Sequence, residues 1–329
     1  MQYSINKKII AAAAVALVCN IAVAQKTTTK QETSNTVANN NVLTEQQAYA
    51  VIKYSNAVID LHNSYIQALQ SHQSTLKNTA DENVVKLKRN IKTQPFFVQC
   101  DRNELSPESD KANRVTLKNI PAIPEKQNLQ QLSAQALAWY DKTNTSCAAV
   151  SSYFSNGEYN NDATFAKYVT LKDSMQLSIK QCAYYWREFA QVAADAGDRA
   201  ELVLLKKNKL AGYVIPMKQS LIAIQQVNNM LSNKDADIDS ITAKIASVQA
   251  LVSQKLNDKN ADFSKLNDAY YKEVYFNFYG SCNTSLNNLQ RTADKIRAKA
   301  PEQDITGAYK SAGSAYNNAI EKYNTFIKQ

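Results

Sequence analysis

The sequence predicts an all-α fold: an elongated antiparallel bundle of long, coiled-coil-like helices. Three observations point there. Only six Gly and six Pro occur in 329 residues, about a third of ordinary usage, and sheets with tight hairpins consume such residues at every turn. From Phe165 to Leu231, seventeen of twenty positions spaced alternately by three and four residues are apolar, where the 44% hydrophobic composition would give about nine. Short polar turns separate most of the periodic stretches, and short connections make neighbouring helices antiparallel.

The chain opens with a secretory pattern. Lys7 and Lys8 precede an apolar run from Ile9 to Val18, and Ala22-Val23-Ala24 fits the small-x-small cleavage rule. Residues 1–24 therefore read as a signal peptide, placing the mature chain in the periplasm or outside the cell. The alternative is lipid anchoring through Cys19. Val18 stands where that processing wants a small residue, so plain cleavage is favoured. Residues 25–43 are polar and read as a disordered linker. Residues 44–329 then form one helical domain, with no later stretch apolar enough to span a membrane. Cleavage leaves 36 bases against 29 acids, interspersed without a basic stripe, which argues against nucleic acid as a partner.

The first helix is expected from Thr44, which forms a capping box with Gln47. Its stripe is Val51, Tyr54, Val58, Leu61, Tyr65 and Ala68, weakening after His72 and ending near Asn90. Residues 93–127 hold four of the six prolines and Cys100, an irregular excursion with a short element around Val115 to Leu117. A second helix follows from Asn128 to Phe154, and SNGEYNND makes a turn in which Asp162 or Asn161 caps the next helix. That third helix would run to Leu231, kinked at Pro216, whose ring meets the carbonyl of Gly212, and weakened at Gly197. Three more helices are expected: one ending at Leu256, one from Asp262 to Ala298, and one from Asp304 to the end.

Four cysteines remain after cleavage: Cys100, Cys147, Cys182 and Cys282. An even number in an exported chain suggests two disulfides, with three pairings open. A hairpin turning near residues 157–160 would separate Cys147 from Cys182 by about 18 Å along the helices, too far for a bridge. That disfavours one pairing and leaves two; because Cys182 and Cys282 both sit on apolar stripes beside aromatic clusters, Cys182–Cys282 with Cys100–Cys147 is the expected set. Two His, ten residues apart at His62 and His72, cannot chelate one ion as an i, i+4 pair can, and His72 is expected at a bundle edge. Asp235, Asp237 and Asp239 mimic a calcium loop. Ser240 follows where that loop needs Gly, and Ala246 replaces its bidentate Glu, so helix capping explains them better. No metal or cofactor site is expected, and no nucleophile elbow or phosphate loop is present.

Aromatic side chains are the remaining candidates. Trp139, Tyr184, Tyr185, Trp186, Tyr271, Tyr275, Phe278 and Tyr279 could line a groove for a glycan or small molecule. Aromatics on several sides of a helix more often mean that the helix is central and buried, and that reading is preferred.

The stretch from Leu132 to Met230 resembles the YiiG-like family, a domain of unknown function in exported bacterial proteins, many of them lipoproteins. The resemblance rests on Tyr153-Phe154, on NGEYNNDATFAK at 156–167, and on YSNAVIDLHNSYI at 54–66. It implies export and a helical fold and names no activity. A similar pattern recurs near the end, where Tyr316-Asn317-Asn318-Ala319-Ile320 echoes Tyr54-Ser55-Asn56-Ala57-Val58. The expected function is non-enzymatic binding of a protein or envelope partner, with ligand binding in the aromatic groove as the alternative.

Overall fold

The structure is a computed structural model, and it describes residues 43–89, 95–100, 105–232, 237–258 and 262–328. The signal peptide, Cys19, nearly all of the polar linker and Asp235 lie outside these residues. The fold is all-α, with no strand among the described residues.

The helices are α1 (Glu45–Thr75), α2 (Asp81–Lys88), α3 (Pro107–Lys118), α4 (Lys126–Ser155), α5 (Ala166–Leu205), α6 (Ala211–Ser232), α7 (Ile238–Leu256), α8 (Ala269–Arg297) and α9 (Glu302–Phe326). Where a single domain over 44–329 was expected, they gather, among the described residues, into two compact units, Tyr49–Gly197 and 43–48 with 198–328. Each has its own apolar core, as chains near the upper size for one core tend to do.

The unit over Tyr49–Gly197 is built on α1, α4 and α5. Thr44 and Gln47 form the expected capping box at the start of α1, each accepting the other's backbone N–H, at 2.9 and 3.3 Å. A π-helical segment, Leu76–Ala80, joins α1 to α2, where the apolar stripe weakens. α1 and α5 run antiparallel: Ser55 meets Gly197, His62 meets the Trp186 carbonyl further along, and beyond α1 the first residue of α2, Asp81, accepts from Tyr168 and pairs with Lys172. α3 is held by polar contacts from both sides. Tyr54 donates to the Leu117 carbonyl, Tyr65 donates to Asp110 at 2.7 Å, and Arg114 bridges Asp110 and Asp141. The core centres on Trp186, stacked on Tyr65 at 4.1 Å, with Tyr140 edge-on to Tyr65 at 4.7 Å.

Asp162 caps α5 as expected, although from four residues before its start. Its carboxylate accepts the N–H groups of Ala166 and Lys167, at 3.0 and 3.1 Å, and the Tyr153 hydroxyl. A carboxylate there complements the positive end of the helix. The connecting Phe165 takes φ +59°, a conformation that costs a side-chain-bearing residue about 1–2 kcal/mol.

The second unit is an up-and-down bundle of α6 to α9. Asp239 pairs with Arg297 and Gln249 bonds Asn287, which sets α7 antiparallel to α8. Ser285 donates to the Ala312 carbonyl and Lys295 faces Asp304, which sets α8 antiparallel to α9. Two expectations need correction here. The long third helix breaks at Lys206–Leu210, not at Pro216. Three lysines around Asn208 end α5, and the Asn208 side chain accepts the Leu210 N–H at 2.8 Å. Pro216 consequently falls early in α6, where its clash with the Gly212 carbonyl disturbs only the first turn. The helix expected from Asp262 starts at Ala269, because Asp268 is its cap, accepting the Tyr270 N–H.

Candidate functional site

The irregular excursion produces the most distinctive surface. Phe96 and Phe97 are 52% and 64% exposed, although they stand on a backbone held from several sides. The fully buried Asn83 on α2 clamps Phe96, donating to its carbonyl and accepting its N–H, both at 2.7 Å. Ser151 on α4 donates to the Val98 carbonyl at 2.7 Å, and the Val98 side chain is buried. Two residues further, Cys100 and Cys147 form a disulfide. Extended backbone alternates its side chains between two sides. Val98 and Cys100 turn inward, so Phe97 between them and Phe96 falls on the outward side; Phe96 shares the inward parity and still stays half exposed, with Lys86 over its ring. The Lys86 ammonium lies 3.5 Å from the centroid of the Phe96 ring, a cation–π contact.

Sequence reasoning missed this pair. The signal that could have found them was the company of Pro95 and Cys100 in a non-periodic stretch.

The eight aromatic residues expected to line a groove divide between the two units. Trp186, Tyr275, Phe278 and Tyr279 are buried core side chains. Trp139, Tyr184 and Tyr185 belong to one unit with Trp186, and Tyr271 belongs to the other with Tyr275, Phe278 and Tyr279. Lys142 covers the Trp139 ring at 4.5 Å, and Arg187 lies over Tyr184. Central helices bury their aromatic faces, and these rings supply that apolar area.

Both histidines and both free cysteines are enclosed. His62 Nδ1 donates to the Trp186 carbonyl at 3.2 Å, and burial holds its pKa down at about 4. His72, expected at an edge, is fully buried, with Nε2 donating to Asn144 Oδ1 at 3.0 Å and its pKa lowered by burial. The expected Cys182–Cys282 bridge is not formed. Each is a free, buried thiol, one in each unit's core, and burial pushes both pKa values up. Asp237 caps α7 by accepting the Asp239 N–H. Among the described residues no His, Cys, Asp and Glu cluster has the makings of a metal site.

One ionic cluster lies inside the second unit. Lys218 of α6 reaches Asp198 at 2.8 Å and Glu201 at 2.7 Å, both from the end of α5, and Tyr323 of α9 donates to Glu201 at 2.8 Å. Burial alone would lower the Lys218 pKa. The two carboxylates outweigh it and hold the ammonium above its ordinary range, while burial raises Asp198. Nearby, Tyr316 donates to the Leu221 carbonyl and to Gln225. Every member of this cluster is buried or paired, so it ties α5, α6 and α9 together.

No helix of the described residues is long and apolar enough to cross a membrane. A disulfide such as Cys100–Cys147 persists in oxidising compartments. No protein-family description matches the chain, and no curated protein matches it. Two solved structures resemble it. One is an uncharacterised DUF3829-like protein from Bacteroides thetaiotaomicron, at 15% identity and a TM-score of 0.49, with 83% of this chain and 98% of that one covered. The other is an alpha helical protein from Bacteroides fragilis, at 16% identity and a TM-score of 0.52, covering 84% of this chain and 98% of that one; what this chain shares with it is the fold.

Proposed function

We propose that this chain is an exported, non-enzymatic helical protein of the YiiG-like kind that binds a component of the cell envelope through the surface around Phe96 and Phe97. The carrying observation is the exposed pair on a braced backbone. Leaving two large aromatic side chains in water is unfavourable by a few kcal/mol. Here Asn83, Ser151 and the disulfide hold the backbone that displays them. Preorganised display of this kind lowers the entropy lost on binding. The enclosure of His62, His72, Cys182 and the Lys218 cluster supports the non-enzymatic part, since these groups do not face a substrate. The secretory pattern and the disulfide support export.

The test is co-sedimentation of the purified chain with washed bacterial envelopes. The wild-type chain should pellet, and Phe96→Ser with Phe97→Ser should stay largely in the supernatant. Equal behaviour of the two proteins, whether both pellet or neither does, rejects the reading.

A further inference from the structure

The surface around Phe96 carries its own charge pattern. Lys86 stacks on the Phe96 ring, and Lys88 and Arg89 follow within a turn on the exposed end of α2. None of the three has a carboxylate partner among the described residues, whereas most other described arginines and several lysines do. Lys88 lies over the Phe165 ring at 5.5 Å. Val85, on the same helix, is 45% exposed. Glu82 is the exposed acid of α2, and Asp81 is already paired with Lys172. The patch therefore combines exposed apolar groups with bases that form no ion pair among the described residues.

We propose that this patch docks on anionic membrane lipid, with Phe96 and Phe97 entering the interfacial zone while Lys86, Lys88 and Arg89 meet the phosphate-bearing headgroups. The inference rests on the envelope-binding reading and names the chemistry of the component. Two features select lipid over the alternatives. The rings are exposed beside Lys86, as an interface of headgroups and acyl chains accepts, and the bases that form no ion pair among the described residues complement an anionic surface. A second copy of the chain would set these bases against one another.

The experiment uses the purified chain with its disulfide intact and protein-free vesicles. One set is phosphatidylcholine and the other contains about one third phosphatidylglycerol. The chain should sediment with the anionic vesicles about tenfold better than with the neutral ones, and about 0.5 M salt should remove most of the difference. Phe96→Ser with Phe97→Ser should lower binding about tenfold, as should Lys88→Gln with Arg89→Gln. Both pairs are exposed, and circular dichroism should show the helical spectrum unchanged. Absence of binding to anionic vesicles, or binding that ignores the Phe substitutions, overturns the proposal. If the chain pellets with envelopes in a Phe-dependent way yet ignores lipid vesicles, the partner is a protein or glycan. That result rejects the lipid inference and leaves the envelope-binding reading standing.

Discussion

Gly197 of α5 faces Ser55 of α1 so closely that a methyl group on its Cα would stand 2.5 Å from Ser55 Oγ and 2.8 Å from its Cβ. The helix passes through Gly197 without a break, so the residue permits a close approach and does not mark a weak point. Gly197→Ala would gain up to about 1 kcal/mol of helix propensity and lose roughly 1–3 kcal/mol to overpacking against the buried Ser55. Urea unfolding should show a net loss of about 1 kcal/mol. The double variant Gly197→Ala with Ser55→Gly should be less destabilised than the sum of the single changes. Full additivity would mean that the two residues do not press on each other.

Lys218 is the cation on which two buried carboxylates depend. Lys218→Met leaves Asp198 and Glu201 facing each other without it, and removing one partner of a buried ion pair typically costs about 3–5 kcal/mol. Adding Asp198→Asn and Glu201→Gln removes the orphaned charge and should restore at least half of the lost stability. A Lys218→Met protein that unfolds at the wild-type urea midpoint would contradict the arrangement.

Helix content, the Thr44–Gln47 cap and the Asp162 cap were legible because each follows from local spacing and side-chain chemistry. Other features depend on which helix lies opposite. The 3-4 stripe carried across Lys206–Leu210 with only Lys207 polar, because Val203 and Leu210 keep the register on either side while the charges between them end the helix. The burial of Lys218 was not legible, since nothing in its own segment reveals two carboxylates from α5 beside it. The groove aromatics were legible as a cluster in the sequence, but their burial depends on packing between helices. Phe96 and Phe97 carry no periodic signal of their own; they are held outside where long-range bonds from Asn83 to Phe96 and from Ser151 to Val98 fix the backbone.

Burial makes His62 a pH-dependent element. Its folded pKa of about 4 lies below the ordinary 6.5, so below pH 6.5 the unfolded chain binds a proton that the folded chain does not. The contribution is complete above about pH 6.5 and is lost as pH falls to about 4, amounting to roughly 3 kcal/mol. His72 is lowered too and adds in the same direction. Asp198 works oppositely, since its raised pKa means that acid relieves a cost. His62→Asn places an amide N–H where Nδ1 donates to the Trp186 carbonyl, without the titration. Unfolding free energies measured from pH 7 to pH 4 should fall less steeply in His62→Asn than in wild type. Identical slopes would remove His62 from the pH response.

Cys100 and Cys147 close a loop of 47 residues, for which a crosslink contributes roughly 2–4 kcal/mol by restricting the unfolded chain. Reduction, or Cys100→Ala with Cys147→Ala, should lower stability by about that amount and loosen the segment that carries Phe96. The other two cysteines should behave as core residues. In the native protein Cys182 and Cys282 should resist iodoacetamide, because both are buried and burial keeps the reactive thiolate scarce. Denaturant alone should expose both to labelling, whereas Cys100 and Cys147 should need a reductant as well. The order of labelling separates the arrangements. A Cys182–Cys282 bridge would make all four cysteines require reduction, and a missing Cys100–Cys147 bridge would let Cys100 react without it.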